Sequence, residues 1–306
     1  MNNSVSSVNS RDNFFIKKLQ GYINLMKPRV MILVIFTAFV GMVLAPQAIN
    51  PLNSFFILLS ITLGAGSSAA INMWFDRDID QEMERTKNRP IPRGIITPNE
   101  ALFFGIITGF LSLILMIYVS NYLSTILLLF TILFYILIYT AWLKRKTSFN
   151  IVIGGAAGAI PPIIGWTAIT PEISILPVSL FLIIFFWTPP HFWALSVYRF
   201  KDYEKVSIPM LPNVSSIEDT KNQIIYYTLL LVALSYAPLI SQQVDLIYFG
   251  IVSILNILIV FRAFILKRSQ EIEGEKNKEG LKFFGFTIFY LFSLFTGLLI
   301  DNMAAL

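Results

Sequence analysis

Nine apolar runs dominate this chain, and most approach the 17–25 residues that an α-helix needs to cross a bilayer. Only 13% of the residues are charged, about half the share of an average soluble domain, which indicates a surface that faces lipid. The sequence therefore predicts an all-α fold, a polytopic membrane bundle of nine transmembrane helices around a central cavity. The runs lie near residues 28–46, 52–75, 101–119, 122–142, 151–169, 175–197, 224–241, 246–266 and 282–300.

Lys and Arg residues are confined to alternate connections between these runs. All 23 lie in five segments, and the four connections in between, together with the C-terminus, contain none. Because positively charged loops stay on the cytoplasmic side of a membrane, we expect the N-terminus and the active site in the cytoplasm and the C-terminus on the opposite side. The five basic segments are the stretch through Arg29 and residues 77–93, 144–146, 199–221 and 262–282.

The chain is expected to form one membrane domain, residues 26–306, preceded by a polar cytoplasmic tail, residues 1–25. The tail is interrupted by charges and lacks the apolar segment of a secretory signal. It is also too weakly basic to be typical of a mitochondrial transit peptide. The expected location is therefore the bacterial cell (inner) membrane, with the mitochondrial inner membrane as the alternative.

An acidic motif lies where the second run ends. Asn72, Asp76 and Asp80 are spaced four residues apart, so a helix places them on one face, whereas Asp78 points away. The motif begins inside apolar sequence, where a carboxylate is costly unless it is paired or binds a metal. Such oxygen ligands suit Mg²⁺, which proteins commonly share with substrate phosphates. The spacing predicts a Mg²⁺ site here; the alternative is a solvated helix end with ordinary charges.

Two features of the composition limit the chemistry. The chain contains no cysteine and one histidine, His191. Disulfides, thiolate metal sites, iron–sulfur clusters and cysteine nucleophiles are thereby excluded, as is any site that needs two histidines. His191 follows Pro189 and Pro190, which are expected to kink or break the sixth helix. The imidazole is either a packed polar group or a cavity-facing one that serves as an acid/base or as a ligand of haem iron.

A further carboxylate and several basic residues lie near the same side of the bundle. Tyr198 and Asp202, after the sixth run, are again four residues apart, and Asp202 facing the first motif would complete a clamp for a metal and a diphosphate. Guanidinium groups suit phosphates because their planar fork of N–H donors can bind two phosphate oxygens at once. For any one basic residue, anchoring on the positive side is the alternative role. The basic residues beside the acids are Arg77, Arg89, Arg93, Lys144, Arg145 and Lys146.

Together these residues resemble the UbiA-type membrane prenyltransferases, whose second helix is followed by an NxxxDxxxD motif. The resemblance covers nearly the whole chain. Within the family, the chain is most similar to the branch that farnesylates haem. One departure is Val206, where many members have a second aspartate after Asp202. The stretches that carry the resemblance are residues 27–30, 72–80, 85–90, 150–162, 187–194, 202–203 and 208–212.

The resemblance implies a reaction, a cofactor and partners. Farnesyl diphosphate would be the donor and haem B the acceptor; the farnesyl group would join a vinyl group with addition of water, giving haem O and diphosphate. The implied cofactor is Mg²⁺. The implied surroundings are the lipid bilayer, and candidate protein partners are haem A synthase and oxidase assembly proteins; no nucleic-acid partner is expected.

The resemblance also implies roles for individual residues. Asn72, Asp76, Asp80 and Asp202 would bind the metal, and Asp76, Asp80, Asp202 and Arg145 would be catalytic. The diphosphate would be bound by Arg77, Arg89, Lys144, Arg145 and Lys201. Candidates for haem binding or acid/base chemistry are His191, Trp193 and Tyr198.

Two other functions remain open at this point. The first is a UbiA-type enzyme with an aromatic acceptor, such as a quinone precursor. The second is a membrane transporter or lipid-binding protein, which would typically carry ionisable residues near the bilayer midplane. Here the charges cluster at the helix ends, which favours an enzyme.

Overall fold

The computed structural model describes residues 15–48, 50–270 and 277–304, and this part of the chain is helical without a strand. Eight of its helical segments are long and apolar enough to cross a membrane, and nine are reached when the bent N-terminal pair is counted as one. The predicted all-α membrane fold is therefore confirmed. The spans, numbered 1 to 9, are Pro28–Val43, Pro51–Phe75, Pro98–Val119, Tyr122–Arg145, Asn150–Ile169, Ile175–Tyr198, Ile217–Ser241, Leu246–Arg268 and Lys278–Ala304.

The spans begin where the sequence supplies capping chemistry. Span 2 starts at Pro51, and the side chain of Asn50 accepts from the backbone N–H groups of the first turn. Span 3 starts at Pro98, and Thr97 and Glu100 form a reciprocal capping box. A proline in the first turn loses nothing, since its missing N–H would have no intrahelical partner there. These local signals fix the helix starts within a few residues of the apolar boundaries.

Residues Phe15–Leu25, expected to belong to a polar tail, form a helix that bends by 48° into span 1. Leu25 is fully buried against the end of span 2 and the start of span 3, and Tyr22 packs on Phe104 with ring centroids 5.1 Å apart. Apolar residues recur here at helical spacing and form one face of the helix. The free energy gained by packing this face exceeds the cost of bringing the charged residues next to the bundle. The packed structure thus starts before residue 26; residues 1–14 of the predicted tail lie outside the described residues.

Spans 4 and 5 depart from a regular α-helix. Span 4 changes at Phe134 to a π-helix that runs to Trp142, and span 5 is interrupted between Ala159 and Pro161. Span 6, by contrast, runs without a break from Ile175 to Tyr198, with both prolines inside it. The prediction of a break at these prolines is therefore wrong, and the alternative, a kink, stays a prediction. In lipid, a continuous helix still pairs most backbone groups internally, whereas a break would expose several of them.

Spans 1 and 5 cross with their backbones in contact. A Cβ atom built on Gly165 would lie 2.0 Å from the carbonyl oxygen of Ala38, and one built on Gly41 would lie 2.2 Å from that of Pro162. Two helices can approach this closely only where small residues face each other. The crossing therefore depends on these two glycines.

We expect Gly165→Ala to destabilise the folded protein by about 1–3 kcal/mol, because the added methyl group meets a backbone atom that cannot rotate away. Thermal unfolding of the purified protein in detergent checks this. Gly158→Ala is the matched control on the same span, since a Cβ there meets nothing within 4 Å. Equal melting temperatures for the two variants would contradict the close crossing.

Candidate functional site

The acidic motif lies at the end of span 2. Span 2 ends at Phe75, and Asp76 joins it to a short helix, Arg77–Glu82. Asn72, Asp76 and Asp80 are all at most 3% exposed, whereas the Asp78 side chain is 58% exposed. The predicted separation of the two faces is confirmed, even though the helix changes direction at Asp76. Two carboxylates and a carboxamide thus face the bundle at the rim of the membrane.

Each member of this motif is bound by a different cationic side chain. The Lys27 Nζ donates to the Asn72 Oδ1 over 2.7 Å, and the Lys144 Nζ donates to the Asp76 Oδ2. Arg89 donates to both oxygens of Asp80, at 2.9 and 2.7 Å. Buried carboxylates require such partners, since an unpaired charge in an apolar surrounding is strongly unfavourable. The cations come from three separate parts of the chain and converge on one motif.

One oxygen of this cluster has no hydrogen-bond donor among the described residues. The Asp76 Oδ1 is buried and accepts no hydrogen bond, and the Arg145 Nη2 forms a longer ion pair with it at 3.7 Å. The other oxygen of the same carboxylate is bound by Lys144 and also accepts from the Asn72 Nδ2 over 2.8 Å. A buried carboxylate oxygen without a donor has room for a further positive group.

Lys27 is a site residue that the sequence reasoning did not single out. It lies between the N-terminal helix and span 1 with φ 55° and ψ 60°, a left-handed conformation that is costly for a residue with a Cβ. Its side chain nevertheless reaches Asn72. A sequence signal exists, because a residue before proline is disfavoured in the helical region, so Lys27–Pro28 marks a break in the helix. Strain that serves a polar contact is typical of a functional site.

The π-helix of span 4 forms the wall beside the motif. Its Thr140 is fully buried and accepts from the Asn72 Nδ2 over 3.3 Å. The ring of Tyr139 packs against Gly154, where an added Cβ would lie 2.1 Å from the ring. The π-helix leads directly into Lys144 and Arg145. A π-helix has more residues per turn than an α-helix, so it turns both basic residues towards the acidic motif.

Arg145 binds the exposed carboxylate of Asp78 through two hydrogen bonds of 2.8 and 2.7 Å. These hydrogen bonds are the main reason that the pKa of Asp78 is lowered to about 2. A carboxyl group whose folded pKa is lowered stabilises the fold above its unfolded pKa, and this contribution is lost as the pH falls through about 2. The pair therefore persists at neutral pH and keeps Arg145 beside Asp76.

Two long loops follow spans 2 and 6, residues 76–97 and residues 199–216. Asp202 lies on the second loop and is 8% exposed. Its Oδ2 has no hydrogen-bond partner among the described residues, and the Arg199 Nη1 is 3.7 Å away. The two long loops meet in a small hydrophobic cluster beside these acids, which also includes the start of span 5. Its buried members are Met83, Ile151, Tyr203, Ile208 and Met210.

The remaining predicted phosphate-binding residues lie outside the buried cluster. Arg77 folds back on Trp74, donating to its backbone carbonyl over 2.7 Å and lying 5.0 Å from its ring centroid. Lys201 is exposed beside Asp202, and Tyr198 lies under the Arg199 guanidinium at 5.1 Å. Their assignment as substrate-binding residues stays a prediction.

His191 and Trp193 lie inside the bundle, before the C-terminal end of span 6. The His191 ring is stacked between Trp187 and Phe284, with centroids 4.2 and 4.3 Å away. Trp193 is 1% exposed and packs edge-on against Tyr227 at 5.1 Å. The structure thus separates these two residues from the acidic cluster and packs them against spans 9 and 7.

The donor set fits a magnesium ion that is shared with a phosphate, and not a closed protein cage. Within the described residues, no group of three or more acidic, histidine or cysteine side chains could hold a metal on its own. Two buried carboxylate oxygens, the Asp76 Oδ1 and the Asp202 Oδ2, still lack donors. Mg²⁺ usually takes one or two protein carboxylates and completes its shell with water and phosphate oxygens.

Comparison with known proteins identifies the class of this membrane protein. The family model described as the UbiA prenyltransferase family matches residues 34–294. The chain therefore belongs to the UbiA prenyltransferase family, and it is an integral membrane protein.

Relatives with high sequence identity carry one common name. A protoheme IX farnesyltransferase of Agrobacterium fabrum (strain C58) is 48% identical over 92% of this chain and 89% of the relative. A protoheme IX farnesyltransferase of Parvibaculum lavamentivorans is 49% identical over 93% of this chain and 89% of the relative.

Solved structures share the fold at low identity. A structure of digeranylgeranylglyceryl phosphate synthase has a TM-score of 0.76 at 21% identity and covers 94% of this chain and 99% of that one. A UbiA homologue from Archaeoglobus fulgidus, bound to GPP and Mg²⁺, has a TM-score of 0.66 at 18% identity, with coverages of 91% and 99%. At these identities the likeness establishes the fold alone.

Proposed function

We propose that this chain transfers the farnesyl group of farnesyl diphosphate to a vinyl group of haem B, with addition of water, giving haem O and diphosphate. The observation that carries the proposal is the convergence of Lys27, Arg89 and Lys144 on the buried acidic motif. A rim rich in both carboxylates and cations suits a metal–diphosphate complex. The haem acceptor is supported by relatives that are 48–49% identical over most of their length.

The chemistry requires stabilisation of a departing diphosphate and protection of an allylic cation from water. Asn72, Asp76 and Asp80, with Asp202 from the second loop, would hold Mg²⁺, which would neutralise charge on the leaving group. Lys144 and Arg145 lie beside Asp76 and would donate to the diphosphate oxygens. The apolar spans would take up the farnesyl chain and exclude solvent.

Orientation follows from the charge distribution and stays part of the proposal. With all Lys and Arg on alternate connections, the rim with Asp76 faces the cytoplasm and the C-terminus faces the opposite side. A bacterial cell membrane is the proposed location. Haem A synthase and oxidase assembly proteins are proposed as partners, because haem O is consumed by further haem chemistry.

The acceptor separates this proposal from its main alternative. Purified protein incubated with labelled farnesyl diphosphate and Mg²⁺ should transfer label to haem B and leave hydroxybenzoate and naphthoate acceptors unlabelled. Transfer to an aromatic acid with none to haem B would establish the aromatic-acceptor enzyme instead. Release of label without any transfer, or no reaction at all, would remove the prenyltransferase assignment.

A further inference from the structure

Thr287 of span 9 contacts His191 through a hydrogen-bond chain whose direction can be worked out. The Thr287 Oγ1 lies 2.7 Å from the His191 Nδ1, and it donates to the backbone carbonyl of Phe284 over 2.7 Å. A threonine hydroxyl has one proton. Because that proton points to Phe284, the proton between Thr287 and His191 belongs to the imidazole. His191 is therefore the tautomer that carries its proton on Nδ1.

Thr287 also holds Trp187, one of the two rings that stack on the imidazole of His191. The Trp187 Nε1 donates to the backbone carbonyl of Thr287 over 2.7 Å. Trp187 covers one face of the imidazole and Phe284 covers the other, both nearly parallel to it. The ring can therefore neither tilt nor flip without breaking these contacts.

The remaining edge of the ring carries Nε2. His191 is buried, with 7% of the residue exposed, and its two faces and Nδ1 are occupied. Within the described part of the chain, no side chain forms a hydrogen bond with Nε2, and the other polar contact of the ring is with the backbone of Phe284. In the Nδ1–H tautomer, Nε2 holds the lone pair. A histidine that ligates a metal commonly has this arrangement, with its other nitrogen donating to a protein oxygen.

We propose that Thr287 is a positioning residue that holds His191 with Nε2 free to ligate the iron of the haem acceptor. This inference rests on the proposed function, since haem is its acceptor substrate. His191 lies seven residues before the end of span 6, about 10 Å along the helix from the rim that carries Asp202. Iron ligation there would place the porphyrin beside the path of a farnesyl chain whose diphosphate is bound at the rim.

The single histidine makes the tautomer directly measurable. Protein labelled with ¹⁵N-histidine contains one imidazole, so NMR resonances of its two nitrogens need no assignment by mutation. We expect a protonated Nδ1 and an unprotonated Nε2 in the wild type and in Thr287→Ser, and loss of this preference in Thr287→Val. A protonated Nε2 in the wild type overturns the inference, whether or not the variants fold.

Haem binding gives the second readout. Ferric haem added to the wild-type protein in detergent should give a Soret spectrum of histidine ligation, which His191→Ala abolishes. Thr287→Val should weaken haem affinity by about 10- to 100-fold, as loss of a partner of a metal ligand does, whereas Thr287→Ser should match the wild type. Equal affinity and an equal spectrum in Thr287→Val would overturn the inference.

The haem-binding assay and the farnesyl-transfer assay distinguish failure of this inference from failure of the proposed function. If the wild type farnesylates haem B and His191→Ala leaves the haem spectrum unchanged, the positioning role is wrong and the proposed function stands. If the wild type binds haem through His191 but transfers no farnesyl group, the proposed function is wrong and the ligation stands.

Discussion

Asp76→Asn is expected to lower the rate of farnesyl transfer by on the order of 10³-fold. Asp76 is fully buried, its Oδ2 binds Lys144, and its Oδ1 is left for a further positive group. The amide keeps the size of the side chain and one acceptor oxygen but removes the negative charge that a divalent ion requires. Product formation from farnesyl diphosphate and haem B, with substrates in excess, measures the loss.

The Asp76 result must be separated from loss of folding. Removing one charge of a buried pair leaves the other unpaired, which destabilises a protein by several kcal/mol. The double variant Asp76→Asn with Lys144→Gln removes both charges and should fold, yet remain inactive. Glu82→Gln, at an exposed acid of the same short helix, is the matched control and should keep wild-type activity. Wild-type activity in Asp76→Asn would show that the motif has no part in the reaction.

Lys144→Gln is expected to lower the same rate by roughly 10²-fold, because the leaving diphosphate loses a donor next to the metal ligands. The π-helix of span 4 positions Lys144, and the neighbouring Lys146 is exposed. Lys146→Gln therefore serves as the control for a general change in charge on this face. The measurement is the maximal rate at saturating substrates, with thermal unfolding as the test of folding. Equal rates in the two variants would show that Lys144 has no part in the reaction beyond its ion pair with Asp76.

The sequence predicted the membrane architecture well, because apolar run length is a local property. All nine predicted runs lie within or close to a span, and the alternation of basic connections supports their number. Capping by Asn50 and Thr97 then sets where individual spans start. The N-terminal helix was missed because its apolar residues are separated by charges, and only packing against Phe104 shows what they do.

The sequence predicts the acidic residues of the candidate site but not the cationic residues that bind them. Asn72, Asp76 and Asp80 follow from spacing on one helix, and their common burial is confirmed. Lys27 is 45 residues away from Asn72, and Lys144 is 68 residues away from Asp76. Such pairs depend on how the spans pack, which no local pattern specifies. Likewise, the π-helix that turns Lys144 inward has no signal in hydropathy.

The surroundings of His191 also depend on a long-range contact that the sequence does not specify. Its position in an apolar run allowed either packing or function, and the sequence could not supply Thr287, which lies 96 residues later. The structure provides the hydrogen bond that fixes the tautomer of the imidazole. Distant pairs of this kind are where the structure adds most to the sequence.

The central claim is that acids and cations at one rim of this bundle hold a metal–diphosphate complex while the farnesyl group moves to haem. The most direct measurement incubates the purified protein with haem B, farnesyl diphosphate and Mg²⁺, and then determines the mass of the extracted haem, with and without a chelator. We predict a haem that is heavier by one farnesyl group and one hydroxyl group, and that forms only when the metal is present. An unchanged haem mass with Mg²⁺ present, or the same product with the chelator, would contradict it.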